Sequence, residues 1–426
     1  MKSTLNKSIF LQLGILLILI EGNYWALLSK VVISDIRYTI IGAVLIFSFI
    51  YLNRKIKRNY IYIPWILYIG IVLLNNKELA SGEHLNTIRI LLCVFSLFVG
   101  MYSEKWTISI PQLVVAVGGF NVIFTFLFFV NNSFYEKFIS LTYKTYQPGT
   151  YYGAYGYRAG IADHYSQNGT YIAIVAITLI AVFLSLTDKR KKKIYGLMAI
   201  VAVAALLLTT KRAHLMFGVA AVIITYYAVN PSKIFYRTFK LMIVLVVLLI
   251  VGSIVIDMVP QLGETFLKIQ NVGNDTSSTT RILMWQYAWR TFLEHPLFGI
   301  GWFGIKYSSL TNTIIDATTG CHNIYLELLA ETGIIGFLVF AIAAGSAVIV
   351  SYKNIQYINR QKEYFEYKGT MTMSFIIQIF CLIYGLTGNM IYDRTFHFYI
   401  IAVAISLSFY LNVTRIRRER IYNEKI

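Results

Sequence analysis

The sequence predicts an all-α, polytopic integral membrane protein of about twelve transmembrane helices, and three observations carry that prediction. The composition is 57% hydrophobic and only 14% charged, with a mean hydropathy of +0.62, which excludes an ordinary soluble domain. Apolar runs of about 17 to 22 residues recur from end to end, each able to cross roughly 30 Å of hydrocarbon as a helix. Basic residues collect between alternate runs, as in a chain that threads back and forth through a bilayer.

The runs fall at 8–29, 37–53, 60–76, 86–102, 109–131, 167–187, 194–210, 213–229, 239–258, 333–351, 370–389 and 396–412. The first follows only Lys2 and Lys7 and has no small-residue cleavage site, so it reads as a retained helix rather than a signal peptide. With the N-terminus inside, RKIKR (54–58), DKRKKK (188–193) and RIRRER (415–420) all fall on the inner face. The formal net charge of +18 then sits on that face, and the outer groups balance. Both termini are expected to be cytoplasmic. The basic excess therefore speaks of topology and anionic lipid, not of nucleic acid. The runs are nearly free of charge; Glu21, Arg89 and Asp257 lie within them, each near an outer helix end, and Arg37 and Lys240 stand at the margins of theirs.

No Pro/Ser-rich linker, low-complexity tract or internal repeat divides the chain, so residues 1–426 read as one integral membrane domain. The missing repeat weighs against a transporter, whose halves often show hydropathy symmetry. Three cysteines are too few for a disulfide framework; Cys93 and Cys381 fall within runs and Cys321 near the outer surface. All six histidines fall at or near the outer side, but no pair has metal-ligand spacing, so no metal site is expected.

Two outer loops are substantial. The first, 132–166, is dense in Tyr and Gly through YYGAYGYRAG; its aromatic faces suit sugar stacking and equally an interfacial aromatic belt. The second, 259–332, precedes the tenth helix. Within it a helix is expected from about Thr280 to Glu294, with Ser277, Ser278 and Thr279 as N-cap candidates and His295-Pro296 as its stop. Ile282, Trp285, Trp289, Phe292 and Leu293 would form its apolar face, lying on the membrane surface or on the bundle. Arg281 and Arg290 would then point to opposite sides, and Arg281 in the first turn would oppose the helix dipole unless an anion bound there. After the glycine turn GIGWFGIKY (299–307), a short helix is expected near His322. It would carry Asn323, Glu327 and Glu331 as one polar stripe and break at Thr332-Gly333.

Arg212 stands out in TTKRAH (209–214), the very short outer connection between two apolar runs. Cations there run against the positive-inside bias and point to function; the plain alternative is that Lys211 and Arg212 snorkel to headgroups. Arginine grips a diphosphate through its planar fork and stays charged at any relevant pH. Arg158, Arg212 and Arg281, all outside, have the chemistry to converge on one anion. His322 suits acid, base or hydrogen-bond donor work near neutral pH, and equally a simple helix cap. There is no GxxxxGK[ST] loop and no DxD pair, so the energy for any outer-face reaction must come from the substrate.

The order TTKRAHL, then R-x3-W-x9-HPLFGIGW, then HNIYLELLAETGIIG, resembles the bacterial O-antigen ligase and polymerase superfamily, whose relatives include capsule polymerases and protein O-oligosaccharyltransferases. The motifs span about 209–340, and the topology matches over the whole chain. The resemblance implies a metal-independent, cofactor-free glycosyltransferase of the bacterial plasma membrane with an undecaprenyl diphosphate-linked glycan as donor. By position Arg212 matches the arginine of the family's Ser-Arg motif, with Thr210-Lys211 standing where Ser is usual. Arg281 matches the loop arginine and His322 the histidine of H-N-x-x-L. In the family picture the arginines hold the diphosphate and the histidine activates the acceptor hydroxyl. Arg158, Lys211, Asn323 and Glu327 are expected to bind substrate around them. A flippase and a chain-length regulator are the protein partners so implied.

The function expected is polymerisation of lipid-linked O-antigen or capsular repeat units. The alternatives are ligation to lipid A-core, transfer to protein, and, in a different class, a polysaccharide flippase.

Overall fold

The computed structural model describes residues 2–52, 60–142, 156–162, 164–229, 234–243, 276–307 and 320–414. Their helices are α1 (Lys2–Val31), α2 (Ser34–Leu52), α3 (Ile63–Leu73), α4 (Lys77–Ala80), α5 (Leu85–Gly100), α6 (Ile110–Val130) and α7 (Asn132–Thr142). There follow α8 (Tyr165–Ser185), α9 (Lys189–Leu208), α10 (Arg212–Val229), α11 (Thr276–Glu294), α12 (Ile324–Arg360), α13 (Lys368–Tyr384) and α14 (Thr395–Phe409). Among the described residues strand pairing is limited to one isolated bridge, Asn76 to Trp302. Six stretches, lying in α2, α6, α8, α10, α12 and α14, are long and apolar enough to cross a membrane, and shorter apolar helices lie at Ile9–Trp25, Tyr60–Leu73 and Leu85–Gly100. The expected run 239–258 lies largely outside the described residues, and so does Asp257.

The apolar segments differ in where they sit. α8 and α14 are buried over 83% and 89% of their apolar windows, against 28–39% for the other four. Helices apolar all round belong at the centre, whereas those with an exposed apolar side face lipid. Buried polar groups tie the centre together: Asn354 Nδ2 donates to the Ser406 carbonyl at 2.8 Å, and Ser374 Oγ to that of Ala402 at 2.6 Å. Such bonds join α12, α13 and α14 inside the bundle. Two of the charges inside the runs have partners. Glu21 pairs with Arg37 at 2.8 Å, and Arg89 donates to the carbonyls of Tyr392 and Asp393.

The break expected at Thr332-Gly333 is a kink rather than an end. α12 passes through Gly333 at φ 63, ψ −171 and resumes at once. A kink orphans backbone groups, and the segment after α11 satisfies them. Ile300 N donates to Ala330 O and Gly301 N to Glu331 O, both at 2.9 Å, while Ile334 N donates to Pro296 O at 2.8 Å. A Cβ on Gly333 would collide with the Leu297 carbonyl, so both the left-handed φ and the close approach require glycine. The Glu331 carboxylate completes the anchor, accepting from Phe303 N at 3.1 Å, Ile305 N at 3.0 Å and the Tyr392 hydroxyl.

α11 departs from expectation in two ways. It starts at Thr276, which places Arg281 in the second turn, so the helix-dipole argument for an anion there falls away. Its buried face is Met284, Ala288 and Thr291, while Ile282, Trp289 and Leu293 are exposed. The small side chains at 288 and 291 let α11 lie close against Cys321, Ile305 and Ala330, which the apolar periodicity alone did not reveal. The helix ends at Glu294, before His295-Pro296, as read from the sequence.

Candidate active site

Three turns and one helix meet at the end of the bundle where α8 and α10 begin. α9 closes at Leu208, and the chain turns through Thr210, whose φ of +57 is unusual for a residue other than glycine. This tight turn makes Lys211 the last loop residue and Arg212 the first of α10. Lys211 lies across Gly169 of α8, where an added Cβ would stand 3.0 Å from its Cγ, and its Nζ sits 3.9 Å from the centre of the Tyr165 ring. One turn further, His214 Nε2 lies 2.7 Å from Thr170 Oγ1, and its ring packs on Tyr384 with centroids 4.7 Å apart. These contacts clamp the start of α10 to α8 and α13.

Arg281 reaches the same place from α11. The tie is Trp285, one turn along, whose Nε1 donates to the Cys321 carbonyl at 2.9 Å. That bond holds the half-buried Arg281 beside the turn carrying His322. His322 has φ +54, a strained setting of the kind that collects at functional sites. Asn323 follows as the N-cap of α12, its side-chain oxygen accepting from Tyr325 N and Leu326 N at 3.1 and 3.2 Å. The helix therefore begins at Ile324, two residues later than expected. The expected stripe of Asn323, Glu327 and Glu331 divides into three separate jobs. Asn323 caps, Glu327 is buried beneath Gly320 and Cys321 with the Cys321 thiol 3.6 Å from its Oε2, and Glu331 anchors the preceding loop.

The charges show how close these groups stand. Burial, then the guanidiniums of Arg281 and Arg212, lower the Lys211 pKa to about 7. The Tyr165 face favours the ammonium by only about 0.5–2 kcal/mol and does not offset them. Burial, then Arg281 and Lys211, lower His322 to about 4. His164, at the start of α8, is also lowered to about 4 by burial, then Lys211 and His322. Among the described residues neither Lys211 nor Arg281 takes part in an ion pair. Like charges gathered this closely are suited to an anionic ligand.

Lys211, Arg212, Arg281 and His322 are thus brought together. Arg158 lies in a short 3₁₀ turn, Gly156–Ala159, that docks on α8 through its carbonyl, which accepts from Asn168 Nδ2 at 3.0 Å. Its guanidinium does not figure among the charges acting on Lys211, His164 or His322. Most of the tyrosine-rich loop, 143–155, lies outside the described residues. Sequence reasoning did not single out His164, the positioning role of Trp285, or Glu331 as an anchor. The R-x3-W spacing was a visible signal for Trp285, since it places tryptophan one helical turn from Arg281.

A helical membrane protein with a basic, histidine-bearing pocket at one end of its bundle is the class that this fold and site define. Residues 197–341, about a third of the chain, match the family described as O-Antigen ligase. The match takes in Lys211, Arg212, Arg281 and His322 and supports the O-antigen ligase and polymerase superfamily that the motifs resemble; its members are membrane glycosyltransferase-like enzymes. No curated protein matches the chain.

Proposed function

We propose that this protein is a polysaccharide polymerase of the bacterial plasma membrane, crossing it about twelve times with both termini cytoplasmic. It transfers glycan from undecaprenyl diphosphate to a sugar hydroxyl of another lipid-linked repeat, without metal or nucleotide. The observation that carries this reading is the convergence of Lys211, Arg212 and Arg281 beside His322 with no carboxylate paired to Lys211 or Arg281 among the described residues.

In the reaction, the acceptor hydroxyl oxygen bonds to the anomeric carbon while the bond from that carbon to the diphosphate oxygen breaks. Arg212 and Arg281, with Lys211, hold the departing diphosphate as its charge grows. His322 takes the hydroxyl proton. Its basicity is suppressed by burial, Arg281 and Lys211. A bound diphosphate offsets those charges, so the ligand itself restores the base. Asn323, Glu327 and Trp285 act by holding the His322 turn, and Arg158 contributes to substrate binding from its 3₁₀ turn.

The description of the matched family favours a second reading, ligation to a different acceptor. One experiment separates the two. Purified protein is given a lipid diphosphate-linked repeat unit alone, or with lipid A-core, and the products are sized. A ladder from the donor alone supports the polymerase; a single addition that requires lipid A-core supports the ligase. Neither product would count against glycosyl transfer.

A further inference from the structure

α11 is turned the wrong way round for a helix in water. Met284, Ala288 and Thr291 are buried, while Ile282, Trp289 and Leu293, a row at i, i+7 and i+11, stay exposed. The Trp289 ring packs only on its own helix, 5.3 Å from that of Phe292 between centroids. Beside that row runs a second exposed one, Leu283, Gln286, Arg290 and Glu294, polar after its first member. Past the helix Leu297 and Phe298 are exposed as well, Phe298 by 72%. Exposed apolar groups gathered in this way mark a surface that something apolar covers.

Where α11 lies says what that cover is. Its first half is tied through Trp285 Nε1 to the Cys321 carbonyl at 2.9 Å, and Ile324 N, three residues on, donates to the Gly385 carbonyl at the end of α13, also at 2.9 Å. At the other end the Pro296 carbonyl accepts from Ile334 N at 2.8 Å and that of Leu297 from Ile335 N at 3.4 Å, where α12 resumes after its kink. Both ends of α11 are therefore held at the site end of the bundle, so the helix runs along the membrane surface rather than across it. Beyond the kink α12 exposes Ile335, Leu338, Ile342 and Ile349, one row at i, i+3, i+7 and i+14 that faces lipid. Leu297 and Phe298 stand beside the head of that row and join it to the exposed end of α11. We infer that the outward face of α11, with Leu297 and Phe298, is a membrane-docking surface, buried among the phospholipid acyl chains of the leaflet at the site end. The small side of the helix takes the bundle and the large side the membrane. A helix of this kind settles about 5–10 Å into the headgroup and acyl boundary, a depth that tryptophan favours, while Gln286, Arg290 and Glu294 keep to the aqueous side. Arg281, on the same helix, is thereby held at the level of headgroup phosphates. The inference goes beyond the proposed reaction and stands without it.

The test reads the surroundings of single positions in the full-length protein, reconstituted in phosphatidylcholine vesicles. A nitroxide label is attached at Trp289→Cys, Leu293→Cys or Phe298→Cys, with Arg290→Cys as the aqueous comparison. The native Cys93, Cys321 and Cys381 are buried, so the label goes to the introduced thiol. Its collisions with dissolved oxygen and with a water-soluble nickel chelate are then measured. The expected result is oxygen collisions several-fold more frequent than nickel collisions at the first three positions, and the reverse at the fourth. Nickel access at the first three equal to that at the fourth would place the face in water and overturn the inference. Low access to both reagents would put protein over it, another segment of this chain or a second copy, and would overturn it too. A second reading leaves the native side chain in place. The fluorescence that Trp289 contributes, wild type minus Trp289→Phe, should fall several-fold in vesicles of phosphatidylcholine brominated on its acyl chains. An unquenched Trp289 contribution would overturn the inference whatever the labelled variants do.

Discussion

Two short segments beside apolar helices, Thr209–Arg212 and Pro296–Ile305, look alike in sequence: each is a compact turn in a family motif. In the structure they are opposites. In the Pro296–Ile305 segment, peptide groups from Pro296 to Ile305 bond to the broken turn of α12 or to the Glu331 carboxylate. At the other turn, Lys211 comes to rest against an aromatic face and two guanidiniums, and no carboxylate pairs with it among the described residues. The backbone of the Pro296–Ile305 segment is held by protein and builds; on the proposed reading, the Lys211 turn is left for substrate. The partners of backbone and charge separate the two where motif membership does not.

This contrast predicts opposite signatures for mutations in the two regions. The largest effect is expected on the binding side. Arg281→Ala should reduce transfer by about 10²–10³-fold while leaving the thermal midpoint unchanged or slightly higher, since a cation is removed from beside Lys211. Arg281→Lys should recover only part of the rate, because the charge returns without the fork. A rate within twofold of wild type in Arg281→Ala would remove the distinction.

Next comes the building side. Glu331→Ala leaves two backbone N–H groups and the Tyr392 hydroxyl without their acceptor, at about 1–3 kcal/mol for each buried group. A marked fall in thermal midpoint, with activity lost in proportion to unfolding, is the expected outcome. A stable but inactive variant would move Glu331 from scaffold to site.

Acid provides a third test. The native pKa values of His164 and His322 are about 4, below the ordinary 6.5, so the unfolded chain binds more protons between those values. Stability is therefore complete above pH 6.5 and declines as pH falls toward 4. Inorganic pyrophosphate should lessen that decline, because it compensates the positive charge gained. Thermal midpoints at pH 7.5, 6 and 5 with and without pyrophosphate check both points, and profiles unaffected by pyrophosphate would speak against an anion site.

The smallest effect belongs to Asn323. Asn323→Ala removes the α12 cap, costing about 1 kcal/mol, and should loosen the His322 turn; Asn323→Ser should restore both stability and rate. If Ser restores stability but not rate, Asn323 itself meets the substrate.

Much of the helical layout was legible because apolar run length and helix length are set by the same bilayer. The short turn at Lys211-Arg212 and the break at Gly333 were legible from charge and glycine in places that penalise both. The bond that sets Arg281 beside His322 was not, since it runs from Trp285 to the Cys321 carbonyl, and backbone acceptors leave no mark in sequence. Glu331 was misread for the same reason: its backbone donors lie 26 and 28 residues upstream. The buried face of α11 went unseen because Ala288 and Thr291 pack by being small, whereas hydropathy rewards the larger Trp289 and Leu293 that face outward.

The most direct measurement is transfer by purified wild type and Arg281→Ala given an undecaprenyl diphosphate-linked repeat unit with no nucleotide. The account predicts a glycan ladder from wild type and almost none from an equally stable Arg281→Ala protein. Equal ladders from both would contradict it.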